Sequence, residues 1–172
     1  MREKVLIVDD IELNREILAV ALGDEYDIIQ ASDGEKTIEI LEENEDGISA
    51  MLLDLIMPNV DGYAVLEYMR DKGLMDRIPV IVISAESARD VEVKCLDMAV
   101  TDFVRKPFDS VTVRRRVKNV ADLFMYKNNL EAKVKIQTRD LIEKNKLLQA
   151  QAEKIRETNE KIVDVLGTVV EY

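Results

Sequence analysis

The chain has 172 residues, with 35 Asp and Glu against 24 Lys and Arg, a formal net charge of −11, and no histidine, which excludes imidazole catalysis and histidine-ligated metals. Its single cysteine, Cys95, excludes a disulfide framework or a cysteine-rich metal site and reads as a small buried hydrophobe. Apolar residues make up 47% of the chain, yet no apolar run approaches the roughly 20 residues that span a bilayer, and no signal-peptide pattern opens it, so a cytoplasmic protein without a membrane segment is expected.

The first predicted strand, Lys4 to Val8, is a run of Val, Ile and Leu that ends on the acidic pair Asp9-Asp10. A helix follows at about Asn14 to Leu22, then a strand over Tyr26 to Ala31 and, after the turn signal Asp33-Gly34, a helix over Gly34 to Glu43 whose Ile38, Ile40 and Leu41 fall at helical spacing. The third strand, Ala50 to Leu53, stops at Asp54. Asp61-Gly62 opens a helix to about Lys72, and Pro79 precedes the fourth strand, Val80 to Ile83, which stops at Ser84. A helix over Ala88 to Met98 and a fifth strand over Asp102 to Val104 come next, with Lys106 just beyond. Short apolar runs alternating with amphipathic segments predict repeated beta-alpha units and a parallel sheet covered on both faces. In such a sheet the carboxyl ends of the strands share one edge, where ligands bind. Asp9, Asp10, Asp54, Ser84 and Lys106 would therefore converge, and three carboxylates, a hydroxyl and an ammonium form a set suited to a hard divalent cation and a phosphate.

Asp9-Asp10, Asp54-Leu55-Ile56-Met57-Pro58-Asn59-Val60-Asp61-Gly62, Ser84-Ala85 and Lys106-Pro107-Phe108, in this order and at these intervals, make residues 1–125 resemble the receiver domain of two-component response regulators. The resemblance implies a flavodoxin-like α/β fold, with strand order 2-1-3-4-5 and helices on both faces. It implies that Asp54 accepts a phosphoryl group, with magnesium (or manganese) held by Asp10, Asp54 and the backbone carbonyl of Ile56, and by Asp9 through a water. Lys106 would grip a phosphate oxygen, Ser84 would swing toward the phosphoryl group, and Phe103 would turn inward with it; the alternative for Phe103 is plain core packing. The Lys106-Pro107 bond resembles one that is cis in the family. Because the chain has no histidine, the donor would be another protein, a sensor histidine kinase or histidine phosphotransfer protein. The chain itself is expected to be no enzyme beyond its own phosphotransfer and dephosphorylation. Ile56 and Glu86 stand where the family tunes phosphoryl loss, and an apolar Ile56 cannot orient a hydrolytic water, so a long-lived phosphoryl group is expected. Ala99-Val100-Thr101 departs from the residues usual before the fifth strand.

After Pro107 the character changes. Residues 1–108 carry 11 Lys and Arg against 25 Asp and Glu, whereas residues 109–172 carry 13 against 10. The acidic half argues against direct nucleic-acid binding, and the basic cluster Arg114-Arg115-Arg116 reads as surface or dimer salt bridges. Asp109 or Ser110 can cap a helix running to about Val170, roughly 90 Å at 1.5 Å per residue. Every seventh residue from Val120 is apolar except Lys127, through Val134, Leu141, Leu148, Ile155, Ile162 and Val169. Of the row three residues on, Gln137, Lys144, Gln151 and Thr158 are polar. This pattern predicts a registered but modestly stable coiled coil over residues 126–172, pairing two chains in parallel through residues 120–170. Gln137-Thr138-Arg139-Asp140-Leu141 and the apolar segment from Ile162 to Tyr172 are similar to the linker and opening helix before HD-GYP domains, which hydrolyse cyclic di-GMP. That resemblance implies an output domain beyond Tyr172. The competing expectation is a stand-alone interaction module whose acidic site only stabilises the fold.

Overall fold

The computed structural model describes residues 2–44, 47–85, 98 and 100–170, with side chains described as far as 163. All but Met98 of the helix predicted over Ala88 to Met98, including Cys95, lies outside these residues, as do Glu86 and Ala99. The chain divides into two compact units, Met1–Tyr126 and Lys127–Tyr172.

In the first unit, five parallel strands form one sheet in the order β2-β1-β3-β4-β5, the flavodoxin-like order. They are β1 (Lys4–Val8), β2 (Asp27–Ala31), β3 (Ile48–Asp54), β4 (Val80–Ser84) and β5 (Asp102–Arg105). Side chains alternate across the sheet, so β1 divides its residues between two cores. Leu6 and Val8 join Met51, Leu53, Val80 and Val82 beneath α2 (Gly34–Glu43) and α3 (Gly62–Asp71). Val5 and Ile7 join Ala50, Leu52, Ile81 and Ile83 beneath α1 (Glu12–Leu22) and the terminal helix (Ser110–Val170), which contributes Val113, Val117 and Val120. This two-sided burial accounts for strands that read as unbroken Val, Ile and Leu.

β3 is longer than its apolar core suggests. It starts at Ile48, pairing with Lys4, and the register shifts by one residue before Val5 meets Ala50. α1 also starts earlier than expected, at Glu12. Ile11 stands at its N-cap without a side-chain cap, and the turn is held instead by Asp9, whose carboxylate accepts from the Ile11 N–H at 2.9 Å. Three other helix starts have ordinary caps: Asp33 accepts from the Lys36 N–H at 2.8 Å, Asp61 from Ala64 at 2.9 Å and Asp109 from Thr112 at 2.8 Å. A 3-10 turn, Leu74–Asp76, follows α3 and buries Leu74 and Met75.

Two glycines set the path of the segment after Asp54. A side chain at Gly62 would overlap the Asp54 carbonyl oxygen and lie 2.7 Å from Leu55 Cα, and one at Gly34 would meet Val60. Gly62 N–H donates to the Leu55 carbonyl at 3.0 Å and Gly34 N–H to that of Val60 at 3.2 Å, so residues 55–61 are pinned between the ends of β3 and two helices. Asn59, at φ 65°, takes the left-handed turn, for which its short polar side chain is suited.

The second unit is helical from Lys127 to Val170. Among its described residues, Val134, Leu141, Leu148, Ile155 and Ile162 are uncovered within the chain, each between 51% and 61% exposed. Among the described residues no helix is long and apolar enough to cross a membrane.

Candidate functional site

The sheet register brings the polar residues together. Val8 pairs with Leu53, so Asp9 and Asp54 follow side by side; Asp54 pairs with Ile83 and Ser84 with Arg105, placing Ser84 and Lys106 along the same edge. Ligand oxygens of Asp9, Asp10 and Asp54 all lie within 4.8 Å of one another. Asp9 and Asp54 are buried, and Asp10 faces solvent.

Lys106 closes the cluster. Its Nζ donates to Asp54 Oδ2 and, at 2.7 Å, to Asp9 Oδ2, across 97 residues of chain. Burial pushes the Asp54 carboxyl above the usual carboxylate range, and the bonds from Lys106 and the Ile56 N–H recover only part of that. For Lys106, burial works against the charged ammonium, but the hydrogen bonds to Asp54 and Asp9 outweigh it and its pKa is raised. The Lys106-Pro107 peptide is cis, as the resemblance implies.

Ile56 N–H donates to Asp54 Oδ1 at 3.1 Å, while the Ile56 side chain is 56% exposed at the mouth of the site. Ser84 is fully buried at the end of β4, and its carbonyl accepts from the Lys106 N–H at 2.9 Å. Phe103 is half-buried and packs against the core on the α2 and α3 side.

Two residues at the site carry no obvious signal in the sequence. Asn14 Nδ2 lies 3.1 Å from both carboxylate oxygens of Asp9, and Arg15 donates from one guanidinium nitrogen to the Asp9 carbonyl at 2.7 Å and the Asp10 carbonyl at 3.2 Å. Asp9 thereby accepts from Ile11, Asn14 and Lys106 at once and is held rigidly. Their spacing, five residues past each of two adjacent acids, places both over the strand end only once α1 begins at Glu12.

Of the basic cluster, Arg116 pairs with both Asp102 oxygens at 2.7 Å and Arg114 donates to the Ala21 carbonyl at 2.8 Å, so two of its three members serve the fold of this unit.

The description "Response regulator receiver domain" fits residues 5–118. The chain belongs to this receiver-domain family. It is 33% identical to the response regulator PleD of Caulobacter vibrioides over 121 residues, 70% of this chain and 26% of that protein. It is 39% identical to response regulator RR06 of Streptococcus pneumoniae over 116 residues, 66% of this chain and 51% of that one. The receiver thus spans between about a quarter and half of these relatives. A crystal structure of a signal receiver domain from Vibrio parahaemolyticus superposes with a TM-score of 0.70 at 23% identity, covering 76% of this chain and 98% of that one. Membership places the chain in two-component signalling.

Proposed function

We propose that Asp54 is the phosphoacceptor of this receiver and that a sensor histidine kinase or histidine phosphotransfer protein supplies the phosphoryl group. The observation that supports this reading most directly is the Asp54 carboxylate at the open strand edge, with Lys106 bonded to one oxygen and two further carboxylates within reach. An Asp54 oxygen attacks phosphorus, the P–N bond of the donor phosphohistidine breaks, and the departing imidazole retains a proton. In such transfers most of the catalysis is positioning and electrostatic stabilisation.

The donor set fits magnesium: hard oxygens, near-octahedral preference, and one or two carboxylates beside a phosphoryl oxygen. Asp10, Asp54 and the Ile56 carbonyl would hold it directly. Asp9 would act through water, in keeping with the three donors that already claim its oxygens. When bound, the cation offsets the negative charge of attacker and phosphoryl group. Lys106 transfers its contact from the carboxylates to a phosphoryl oxygen, and the Ser84 hydroxyl and Phe103 follow. Phosphorylation then shifts a pre-existing equilibrium only through contacts that differ between the two states.

We extend the proposal to signal output: two chains pair in parallel through the terminal helix, and the paired helices carry the change to an output domain. The similarity of residues 137–141 and 162–172 to HD-GYP linkers favours cyclic di-GMP hydrolysis as that output. Intact mass with acetyl phosphate and magnesium tests the core of the reading. Wild type should gain one phosphoryl group and Asp54→Asn none. Undiminished labelling of Asp54→Asn would refute the acceptor assignment, and no gain in wild type would favour a phosphorylation-independent interaction module.

A further inference from the structure

Pairing of two chains through the terminal helix, the reading above on which this inference rests, leaves open which face meets the partner and in what register. The strong row of Val134, Leu141, Leu148, Ile155 and Ile162 is flanked by two rows, one three residues on and one four residues on, and a two-stranded seam takes only one of them. The row three on is Gln137, Lys144, Gln151 and Thr158. The row four on is Thr138, Asn145, Ala152 and Asn159.

We infer that the partner is a second copy of this chain, parallel and unstaggered, with the seam on the second row, so that Asn145 meets Asn145 and Asn159 meets Asn159. This choice keeps a lysine out of the seam and leaves short side chains beside each Leu and Ile. It also brings Ile142 and Val163, 52% and 66% exposed, to the edge of the seam, whereas the other row would bring only Leu147; Ile136 lies outside both.

The surface relief agrees. A groove of about 450 Å³ beside Ile155 is lined by Ala152, Ile155, Arg156 and Asn159, continuing along Glu160 and Val163. Those first four residues fall at i, i+3, i+4 and i+7, the four-residue hole into which a partner side chain, here Ile155 of the second copy, inserts. The matching groove on the other side is lined by Gln151, Lys154, Ile155, Thr158 and Asn159, a hole rimmed by a lysine and a glutamine.

Three arguments identify the occupant as a second copy. Residues 127–172 carry nine Lys and Arg against eight Asp and Glu, so this unit meets its like without the repulsion of the acidic first unit. Flanking residues five apart across the parallel seam, Lys144 with Gln149 and Gln151 with Arg156, include no like-charged pair. The strip from Val134 to Ile162 is about 43 Å long and about 10 Å wide, and once corrugated by side chains it hides on the order of 800 Å² per copy, the size of a stable interface. Direction follows from the amides. In a parallel pair each asparagine faces an asparagine and the two amides bond to each other, whereas in an antiparallel pair they face Leu or Ile and are left buried without a partner.

The test uses the full chain with Cys95→Ser, which leaves no other thiol, carrying either Ala152→Cys or Gln151→Cys. Parallel seam positions lie within disulfide reach of their counterparts. Under mild oxidation Ala152→Cys should cross-link at least ten-fold faster than Gln151→Cys. Faster cross-linking of Gln151→Cys would move the seam to the other row and overturn the inference. A dimeric solution mass with neither variant cross-linking would overturn it while leaving the dimer itself standing. A monomeric mass at every concentration would remove the dimer as well.

Discussion

With Lys106 replaced by alanine, Asp9 and Asp54, only 2% and 5% exposed at their side chains, would face each other without a counter-charge. Breaking a buried ion cluster in this way is expensive, and Lys106→Ala should lose on the order of 3 kcal/mol in urea unfolding at neutral pH without magnesium. Magnesium should return much of the loss, since it offsets the same charges. The dependence on pH has a definite sign. Because the folded Asp54 carboxyl binds its proton more tightly than an unfolded one, its contribution to stability is complete below the ordinary carboxylate range and disappears as pH rises through its elevated value. The Lys106→Ala deficit should accordingly shrink on acidification. Tyr26 behaves alike at the alkaline end. Burial, reinforced by Glu25, Glu3 and Asp122, pushes its phenol up to about 12, so neutral Tyr26 supports the fold up to its unfolded value and the support fades toward pH 12. An ultraviolet titration should show a late tyrosinate that Tyr26→Phe removes.

Among the elements, the β3–α3 connection leaves the least room for change. Gly62→Ala sets a methyl group against the backbone of Asp54 and Leu55, and such overpacking should cost about 2 kcal/mol and slow phosphoryl labelling, read from urea midpoints and intact mass over time. Much at this scale was legible in the residues. Asp54 and Ser84 stand out because each ends an apolar run at the open edge, and Asp33-Gly34 and Asp61-Gly62 stand out as turn signals, which the structure shows to be helix caps. The start of α1 was not legible, because a contact from Asp9, three residues upstream, holds its first turn instead of a cap. Asn14 and Arg15 were hidden for the same reason: polar residues in a first helical turn look solvated until the strand end beneath them is in place. The first two residues of β3 were missed because a register shift, which leaves no trace in hydropathy, carries them into the ladder.

For the molecule as a whole, the two units call for different measurements. Leu141→Asp with Leu148→Asp places carboxylates in the row shared by both candidate seams, and the solution mass should fall to that of one chain while acetyl phosphate still labels Asp54. An unchanged mass would assign pairing to another surface. The first unit carries a different consequence, one of timing. Its candidate site draws on the ends of four strands, and the ion pair that closes it joins residues 97 positions apart. At translation rates of about 5 to 20 residues per second, the Asp9 carboxylate leaves the peptidyl-transferase centre roughly 5 to 20 seconds before the ammonium that will neutralise it. A nascent chain that has reached only Asp54 holds the acids but not Lys106, so competence to receive a signal arrives in one step, after the whole sheet has been synthesised.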